Sequence, residues 1–217
     1  RMAQNPTLPP RYKLIDEIGE GATCLVYKAE DQKLGRTVAI KVVRRNLAIH
    51  TRFRARFRRE VATSAEVVHP RVIPVLDTGR LENGCPYVSL AHADHGSLSD
   101  RLKQRPPMGE AIRLMQHVLD ALAHIHARGF LHQDLKPANV LLHSSAQGKP
   151  DAWVADLGFA GAVTELALHQ QGMGGTPVWM APEQRAGRYA ELGQWTDLYA
   201  VGLMLFEILG GDRSGKE

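Results

Sequence analysis

The run from His132 to Asn139, which reads His-Gln-Asp-Leu-Lys-Pro-Ala-Asn, is the feature that most constrains what this chain can fold into. It places a carboxylate, an ammonium group and a carboxamide at Asp134, Lys136 and Asn139, directly before the apolar stretch 140–142. These groups fit phosphoryl transfer, because an Asp can accept the proton of an attacking hydroxyl, a Lys can neutralise the moving phosphate and an Asn oxygen can bind Mg²⁺. The run becomes strong evidence for phosphoryl transfer only through its order along the chain relative to other motifs.

Two glycines near the N-terminus point to a nucleotide. Gly19 and Gly21 stand between two stretches that predict strands, and they would let the backbone approach phosphate groups closely. Most such glycine pairs are ordinary hairpin turns. The β-branched run 37–43 predicts a further strand, in which alternation places Ala39 and Lys41 on one face. A small residue beside a cation suits a flat ring next to a charged phosphate tail.

An amphipathic helix is predicted over residues 51–68. Its apolar stripe has spacings of four and three and consists of Phe53, Phe57, Val61, Ala65 and Val68. Glu60 belongs to the inward face of this helix, where a carboxylate is costly unless it is paired, and Lys41 is the candidate partner. The alternative is a solvated Glu60 at the edge of the stripe.

Three later segments continue the order of motifs. Asp156-Leu157-Gly158 follows the apolar strand 152–155, and an Asp at a strand end is a candidate magnesium ligand, although such triplets are also common turns. Gly175-Thr176-Pro177 and Ala181-Pro182-Glu183 come next. The segment 195–202 then opens an apolar helix.

This ordered set of motifs resembles a Hanks-type serine/threonine protein kinase domain of the bacterial kind, over residues 12–209. The resemblance implies an α+β fold with a bilobal architecture: a strand-rich N-lobe with one helix, and a mainly helical C-lobe that ends after its central helix. The division it implies is a flexible lead with a tag remnant at 1–11, the N-lobe at 12–90, a hinge at 91–93 and a partial C-lobe at 94–217.

The resemblance also implies which residues bind ATP. Three form the glycine-rich loop, two sandwich the adenine, and three form the gatekeeper and the hinge. In that order they are Gly19, Gly21 and Val26; Ala39 and Leu141; and Leu90, Ala91 and Ala93.

Six polar residues complete the implied site. They are Lys41 and Glu60 as an ion pair at the α- and β-phosphates, Asp134 as the base, Lys136 at the γ-phosphate, and Asn139 and Asp156 as ligands of Mg²⁺. Lys136 in its place after Asp-Leu, together with Thr176, matches the serine/threonine branch of the family.

Two departures from the family pattern bear on regulation. Gln133 stands where the family often has an Arg that binds a phosphorylated activation loop, and a carboxamide carries no charge for this. We therefore predict that loop phosphorylation is not the main on-switch, with Thr164 as the best candidate phosphosite. Ser64 replaces an apolar residue of the regulatory column, which would loosen its helix.

Two classes of function stay open at this stage. The first is an active kinase that phosphorylates Ser or Thr in proteins. The second is a kinase-like module that binds nucleotide or a partner with little turnover, and Gln133 and Ser64 favour it. A small-molecule kinase is a weaker third alternative, because the segment from Gly175 to Glu183 suits a peptide substrate.

A second amphipathic helix is predicted over 108–128. Its apolar residues are Ile112, Met115, Val118, Leu119, Leu122 and Ile125. His124 and His126 are expected to be surface or capping residues of this helix. The segment 144–150 predicts a loop between two short strands.

Charge and composition add expectations about partners. The net charge of +4 owes much to arginines between Arg44 and Arg59, which we interpret as a solvated helix face, so no nucleic acid is expected. The longest apolar run, 200–209, is too short to span a bilayer. Two cysteines and the lack of a signal peptide favour the cytoplasm. The apolar residues Leu203, Phe206 and Leu209 predict a dimer or a regulatory partner over the face that they form.

Overall fold

The computed structural model describes residues 6–157 and 177–211, and the side chains of Arg52, Arg56, Arg59, Glu60, Thr63 and Pro177 lie outside that description. The chain divides into two compact units. The first, here called the strand unit, comprises Arg1–Glu66 and Pro74–His92. The second, the helical unit, comprises Val67–Ile73 and Ala93–Glu217.

The strand unit is built on a five-stranded antiparallel sheet with the order β1-β2-β3-β5-β4. The strands are β1 Tyr12–Glu20, β2 Cys24–Asp31, β3 Arg36–Val43, β4 Val75–Arg80 and β5 Pro86–Ala91. Two helices follow β3, namely α1 Arg45–Ala48 and α2 Thr51–Glu66. The predicted single helix of this lobe corresponds to α2. The four residues of α1 are too few to show a helical period in the sequence.

Helix α2 buries the predicted apolar stripe only over its first three turns. Phe53, Phe57 and Val61 are buried as expected. The prediction was wrong at Ala65, which is exposed, and at Val68, whose exposed fraction is 78%. The helix ends two residues before Val68, so the helical period no longer decides which way that side chain points.

A buried carboxylate fixes one corner of the sheet. Asp31 is 1% exposed, and both of its oxygens accept hydrogen bonds from Arg11, at 2.9 and 2.7 Å. Arg11 also bonds Asp77 of β4 at 3.1 Å. The Arg11 guanidinium holds the pKa of Asp31 below its usual range, so this contribution to stability is present above the unfolded-state pKa and is lost as pH falls through the folded-state pKa.

The helical unit contains four helices and a two-stranded antiparallel ribbon within the described residues. These elements are α3 Leu98–Lys103, α4 Met108–Ala127, β6 Val140–His143, β7 Asp151–Val154, α5 Pro182–Arg185 and α6 Gln194–Ile208. Single 3₁₀ turns lie at Pro137–Asn139, Pro177–Trp179 and Tyr189–Glu191. The predicted loop between two short strands is confirmed, as is the fold class of a strand-rich and a mainly helical lobe.

Helix α4 is the centre of the helical unit's core. Its buried apolar residues are Ala111, Leu114, Met115, Val118, Ala121, Leu122 and Ile125. The prediction was wrong at Ile112 and Leu119, which are 46% and 40% exposed. These two lie seven residues apart, on a strip beside the packed face. A period of 3.6 cannot choose between adjacent strips when both carry apolar residues.

The segment Val67–Ile73 packs as part of the helical unit. The Ile73 N–H donates to Val154 O at 3.0 Å, and the Val154 N–H donates to Arg71 O at 2.8 Å. Val67 and Val72 are 2% exposed within the core of this unit. The segment that connects α2 to β4 is therefore anchored on β7. In the part of the chain that the structure describes, no helix is both long and apolar enough to cross a bilayer.

Candidate active site

The turn between β1 and β2 carries the glycines that the sequence singled out. The Gly21 N–H donates to Cys24 O at 2.9 Å, which closes the turn. A Cβ on Gly21 would lie 3.4 Å from that same oxygen, so the turn is tight at this position. Gly19 lies opposite Val26 in the strand register.

Arg44 supports this turn from the end of β3, a role that sequence reasoning missed. Its Nε donates to Gly21 O at 2.8 Å, and its guanidinium also forms an ion pair with Glu20. The backbone N–H of Arg44 donates to Thr23 O at 2.9 Å. The sequence had placed Arg44 on a solvated face, and only its position directly after the strand of Lys41 could have signalled this contact.

Strand register brings several predicted nucleotide-binding residues together. Lys41 lies opposite Val26 on one side and Val88 on the other, and Ala39 lies opposite Leu90. Gly19, Val26 and Lys41 therefore occupy neighbouring positions on three adjacent strands.

Lys41 is 8% exposed, and a buried ammonium group is costly without an anionic or hydrogen-bonding partner. The side chain of Glu60, its predicted partner, lies outside the described residues. Their ion pair therefore stays a prediction.

Three further residues are predicted to contact adenine. Ala91 belongs to β5 in the strand unit, and its N–H donates to Pro74 O at 3.0 Å, so the group it can offer a ligand is its carbonyl. Ala93 and Leu141 belong to the helical unit, where both are half-buried. Leu141 is held in place by pairing with Trp153 of β7 and with Ser97.

The structure brings Asp134, Lys136 and Asn139 into direct contact. Asp134 Oδ2 accepts hydrogen bonds from Lys136 Nζ at 2.8 Å and from Asn139 Nδ2 at 3.1 Å. Asn139 Nδ2 also donates to the backbone oxygen of Asp134 at 2.7 Å. The 3₁₀ turn Pro137–Asn139 folds the chain back to make these contacts. Because the amide nitrogen of Asn139 is engaged by Asp134, Oδ1 is the atom of this side chain that could bind a cation.

Asp156 lies two residues after β7 and has a left-handed conformation, with φ of 64°. Such a φ is uncommon outside glycine and is found where a site requires it. The N–H of the preceding Ala155 donates to Asn139 O at 2.9 Å, which joins this strand end to the loop that carries Asn139.

A carboxamide oxygen and a carboxylate are ligands that Mg²⁺ prefers. No group of three His, Cys, Asp or Glu side chains among the residues described could hold a metal without other ligands.

His132 is fully buried, and its ring connects the loop of Asp134 to the segment that leads into Asp156. Its Nε2–H donates to Ala155 O at 2.9 Å, because a carbonyl oxygen can only accept. Its Nδ1 accepts the N–H of Asp134 at 3.3 Å. One imidazole thus connects the backbone of Asp134 to the strand end that leads into Asp156.

Asp197 anchors the same loop from the first turn of α6, and it is 1% exposed. Its carboxylate accepts the N–H of His132 at 2.9 Å, the N–H of Gln133 at 2.8 Å and Nε2–H of His126 at 2.7 Å. Gln133 has a φ of 65°, so this anchor stabilises another left-handed residue.

Sequence reasoning missed the role of Asp197. The available signal was a carboxylate in the first turn of an otherwise apolar helix. The expectation of a surface or capping role was wrong for His126, because its ring donates to this buried carboxylate.

Two residues just after the Ala-Pro sequence make further polar contacts. Thr196 Oγ1 donates to Glu183 Oε1 at 2.7 Å, and this hydrogen bond holds the pKa of Glu183 below its usual range. Gln184 Nε2 donates to Gln133 O at 2.7 Å, and Gln184 Oε1 accepts the Ala181 N–H at 3.0 Å. The short helix α5 is therefore attached both to α6 and to the loop of Asp134.

Comparison with protein families gives one match over most of the chain, to the model described as protein kinase domain, covering residues 12–215. Among curated proteins, the probable serine/threonine-protein kinase PknB of Lactococcus lactis is 39% identical over 93% of this chain and 32% of its own length. PrkC of Bacillus subtilis, a serine/threonine-protein kinase, is 33% identical over 93% of the chain and 30% of its own length. The chain thus spans about a third of the length of these relatives.

Solved structures give the same picture. The kinase domain of Mycobacterium tuberculosis PknI is 28% identical, with a TM-score of 0.72 over 100% of this chain and 82% of that one. A second crystal structure of the PknI kinase domain has a TM-score of 0.70 at 28% identity, over 96% of this chain and 77% of that one.

Replacing Asp197 by Asn tests the anchor. The carboxamide has one acceptor oxygen and presents an N–H₂ group toward backbone donors, so part of the loop loses its partner. We expect the free energy of unfolding, measured by urea denaturation, to fall by about 2–4 kcal/mol. Asp120→Asn, on the exposed side of α4, is the matched control and should change it by less than about 0.5 kcal/mol. Equal stability of the two variants would contradict the anchoring role.

Proposed function

This chain belongs to the protein kinase domain family, and we propose that it transfers the γ-phosphate of ATP to serine and threonine hydroxyls of proteins. One observation carries the proposal: Lys136 and Asn139 both donate hydrogen bonds to the carboxylate of Asp134 within a single loop. Relatives named as serine/threonine-protein kinases support it.

The proposed chemistry assigns Asp134 the role of base. Its carboxylate accepts the proton of the substrate hydroxyl, whose oxygen bonds to the γ-phosphorus. The bond from that phosphorus to the β–γ bridging oxygen breaks, and ADP leaves with the electron pair. Lys136, whose ammonium lies 2.8 Å from Asp134 Oδ2, is placed to neutralise the phosphoryl group in transfer.

Asn139 Oδ1 and the Asp156 carboxylate are the proposed ligands of Mg²⁺. When bound, the ion supplies neutralisation of the phosphate charge. The two residues fit this task because the amide nitrogen of Asn139 already bonds Asp134, which directs the oxygen away from it. Their backbones are joined through Ala155, so the spacing of the two ligands is set by the fold.

Most of the proposed nucleotide contacts belong to the strand unit, and Ala93 and Leu141 belong to the helical unit. Lys41 would bind the α- and β-phosphates and pair with Glu60, and the glycine turn would cover the phosphates. The other proposed contacts are Gly19, Gly21, Val26, Ala39, Leu90, Ala91, Ala93 and Leu141. Support comes from the register, which sets Val26 beside Lys41 and Ala39 beside Leu90.

A second candidate function is a module that binds nucleotide or a partner with little turnover. Ser64 favours it, because this half-buried hydroxyl lies in the last turns of α2, where the family usually has an apolar residue. A hydroxyl there weakens the packing that would hold α2 in one place.

Transfer of labelled γ-phosphate, to the protein itself and to a basic peptide substrate, separates the two candidates. We expect magnesium-dependent transfer by the wild type and a loss of at least about 100-fold in Asp134→Asn, because the carboxamide cannot accept the hydroxyl proton. Asp120→Asn should transfer normally. If neither wild type nor variant transfers phosphate while both bind nucleotide, the binding module is the correct function.

Regulation by loop phosphorylation is proposed to be secondary. The side chain of Gln133 has no charge with which to bind a phosphate. Its backbone N–H is already bonded to Asp197 within the fold. Thr164, the candidate phosphosite, lies outside the described residues. We expect Thr164→Ala to keep at least about half of the wild-type rate of transfer. A variant that loses most of its activity would contradict this proposal.

The outer face of α6 is proposed to bind a protein, most simply a second copy of this chain. Its exposed apolar residues are Trp195, Leu198, Tyr199, Phe206 and Leu209. Phe206 and Leu209, the residue that follows the helix, are 51% and 71% exposed, and large exposed apolar side chains favour association. Light scattering at high concentration should show self-association that Phe206→Lys reduces and that Ile112→Lys, on α4, leaves intact. A wild-type monomer at all concentrations would contradict it.

A further inference from the structure

The carboxamide of Gln184 is held in one orientation by the short helix that carries it. Its Oε1 accepts the N–H of Ala181, the residue just before α5, at 3.0 Å. Its Nε2 therefore faces the other way, and it donates to Gln133 O at 2.7 Å. Because the oxygen of the side chain is already fixed by Ala181, the amide cannot flip without losing both hydrogen bonds.

Gln133 O belongs to the peptide bond that joins Gln133 to Asp134. The other end of that peptide, the Asp134 N–H, donates to His132 Nδ1 at 3.3 Å. The plane of the peptide is therefore fixed from two sides, by Gln184 at its oxygen and by His132 at its nitrogen. The orientation of this plane sets the direction in which the Asp134 side chain leaves the backbone.

Strain in the loop makes such support necessary. Gln133 has a φ of 65°, a left-handed conformation that is unfavourable for a residue with a Cβ. Asp197 holds the N–H of Gln133, and Gln184 holds its carbonyl. Without the second hydrogen bond, the peptide between Gln133 and Asp134 could rotate toward a relaxed conformation.

We propose that Gln184 is a positioning residue for Asp134, fixing the peptide bond through which Asp134 joins its loop. The inference rests on the proposed function, in which Asp134 is the base. It also deepens that function, since a neutral carboxamide within the helical unit supports the loop without any added phosphate. The segment from Ala181 to Gln184 overlaps the segment that is expected to suit a peptide substrate, and through Gln184 it helps to position Asp134.

Two variants separate the hydrogen bond to Gln133 from the one to Ala181. Gln184→Glu keeps the size and shape of the side chain and an oxygen for the Ala181 N–H, but it cannot donate to Gln133 O while ionised. Gln184→Met removes both hydrogen bonds and adds no charge. Gln147→Glu, in the exposed loop between β6 and β7, is the control for the added charge.

The first measurement is the steady-state kinetics of phosphate transfer. We expect kcat to fall 10- to 100-fold in both Gln184→Glu and Gln184→Met, because a displacement of about 1 Å at a reacting group costs rates of that order. KM for ATP should stay within about twofold, and Gln147→Glu should behave as wild type. A Gln184→Glu variant with wild-type kcat would overturn the proposal, since Gln184 would then serve only as a cap for Ala181.

The second measurement does not depend on turnover. Hydrogen exchange of the peptide spanning residues 130–136, followed by mass spectrometry, should be at least about tenfold faster in both Gln184 variants than in wild type. Unchanged exchange would overturn the positioning role even if kcat falls. If the wild type transfers no phosphate, the proposed function fails, while faster exchange in the variants would still support the hold of Gln184 on the loop.

Discussion

The carboxylate of Asp197 is buried at the base of the loop that carries the predicted catalytic residues, and it bonds three N–H groups there. A buried charge is stable only when such donors surround it, so the loop and α6 stabilise each other. The left-handed residue Gln133 is kept in place by the same contact. With the backbone fixed there, Lys136 and Asn139 both contact Asp134.

The loop of the proposed catalytic residues could be predicted from the sequence, because Asp134, Lys136 and Asn139 are close along the chain and one 3₁₀ turn suffices to join them. The strand of Lys41 was also predictable from its β-branched residues. The contacts of Asp197, Gln184 and Arg44 were not, since each reaches across elements that are distant in sequence. The hydrophobic pattern also predicted burial wrongly where two adjacent helix faces are apolar, as at Ile112 and Leu119, and where a helix ends early, as before Val68.

Gln133, which stands where the family often has an Arg, is held in the loop through its backbone. Its side chain lacks the charge that would bind a phosphate, yet its backbone is held at both ends, by Asp197 at the N–H and by Gln184 at the carbonyl. The Glu183 side chain accepts a hydrogen bond from Thr196 in the first turn of α6. The loop of the proposed base, the segment after Ala181 and α6 therefore form one hydrogen-bonded assembly within the helical unit.

A crystal structure of the chain with Mg²⁺ and a non-transferable ATP analogue tests most directly the claim that the fold sets the loop for phosphoryl transfer. We expect one Mg²⁺ bound by Asn139 Oδ1 and by the Asp156 carboxylate, with Asn139 Nδ2 still donating to Asp134 and Asp197 still holding the loop. Nucleotide bound with no metal at either residue, or a loop released from Asp197, would contradict the account.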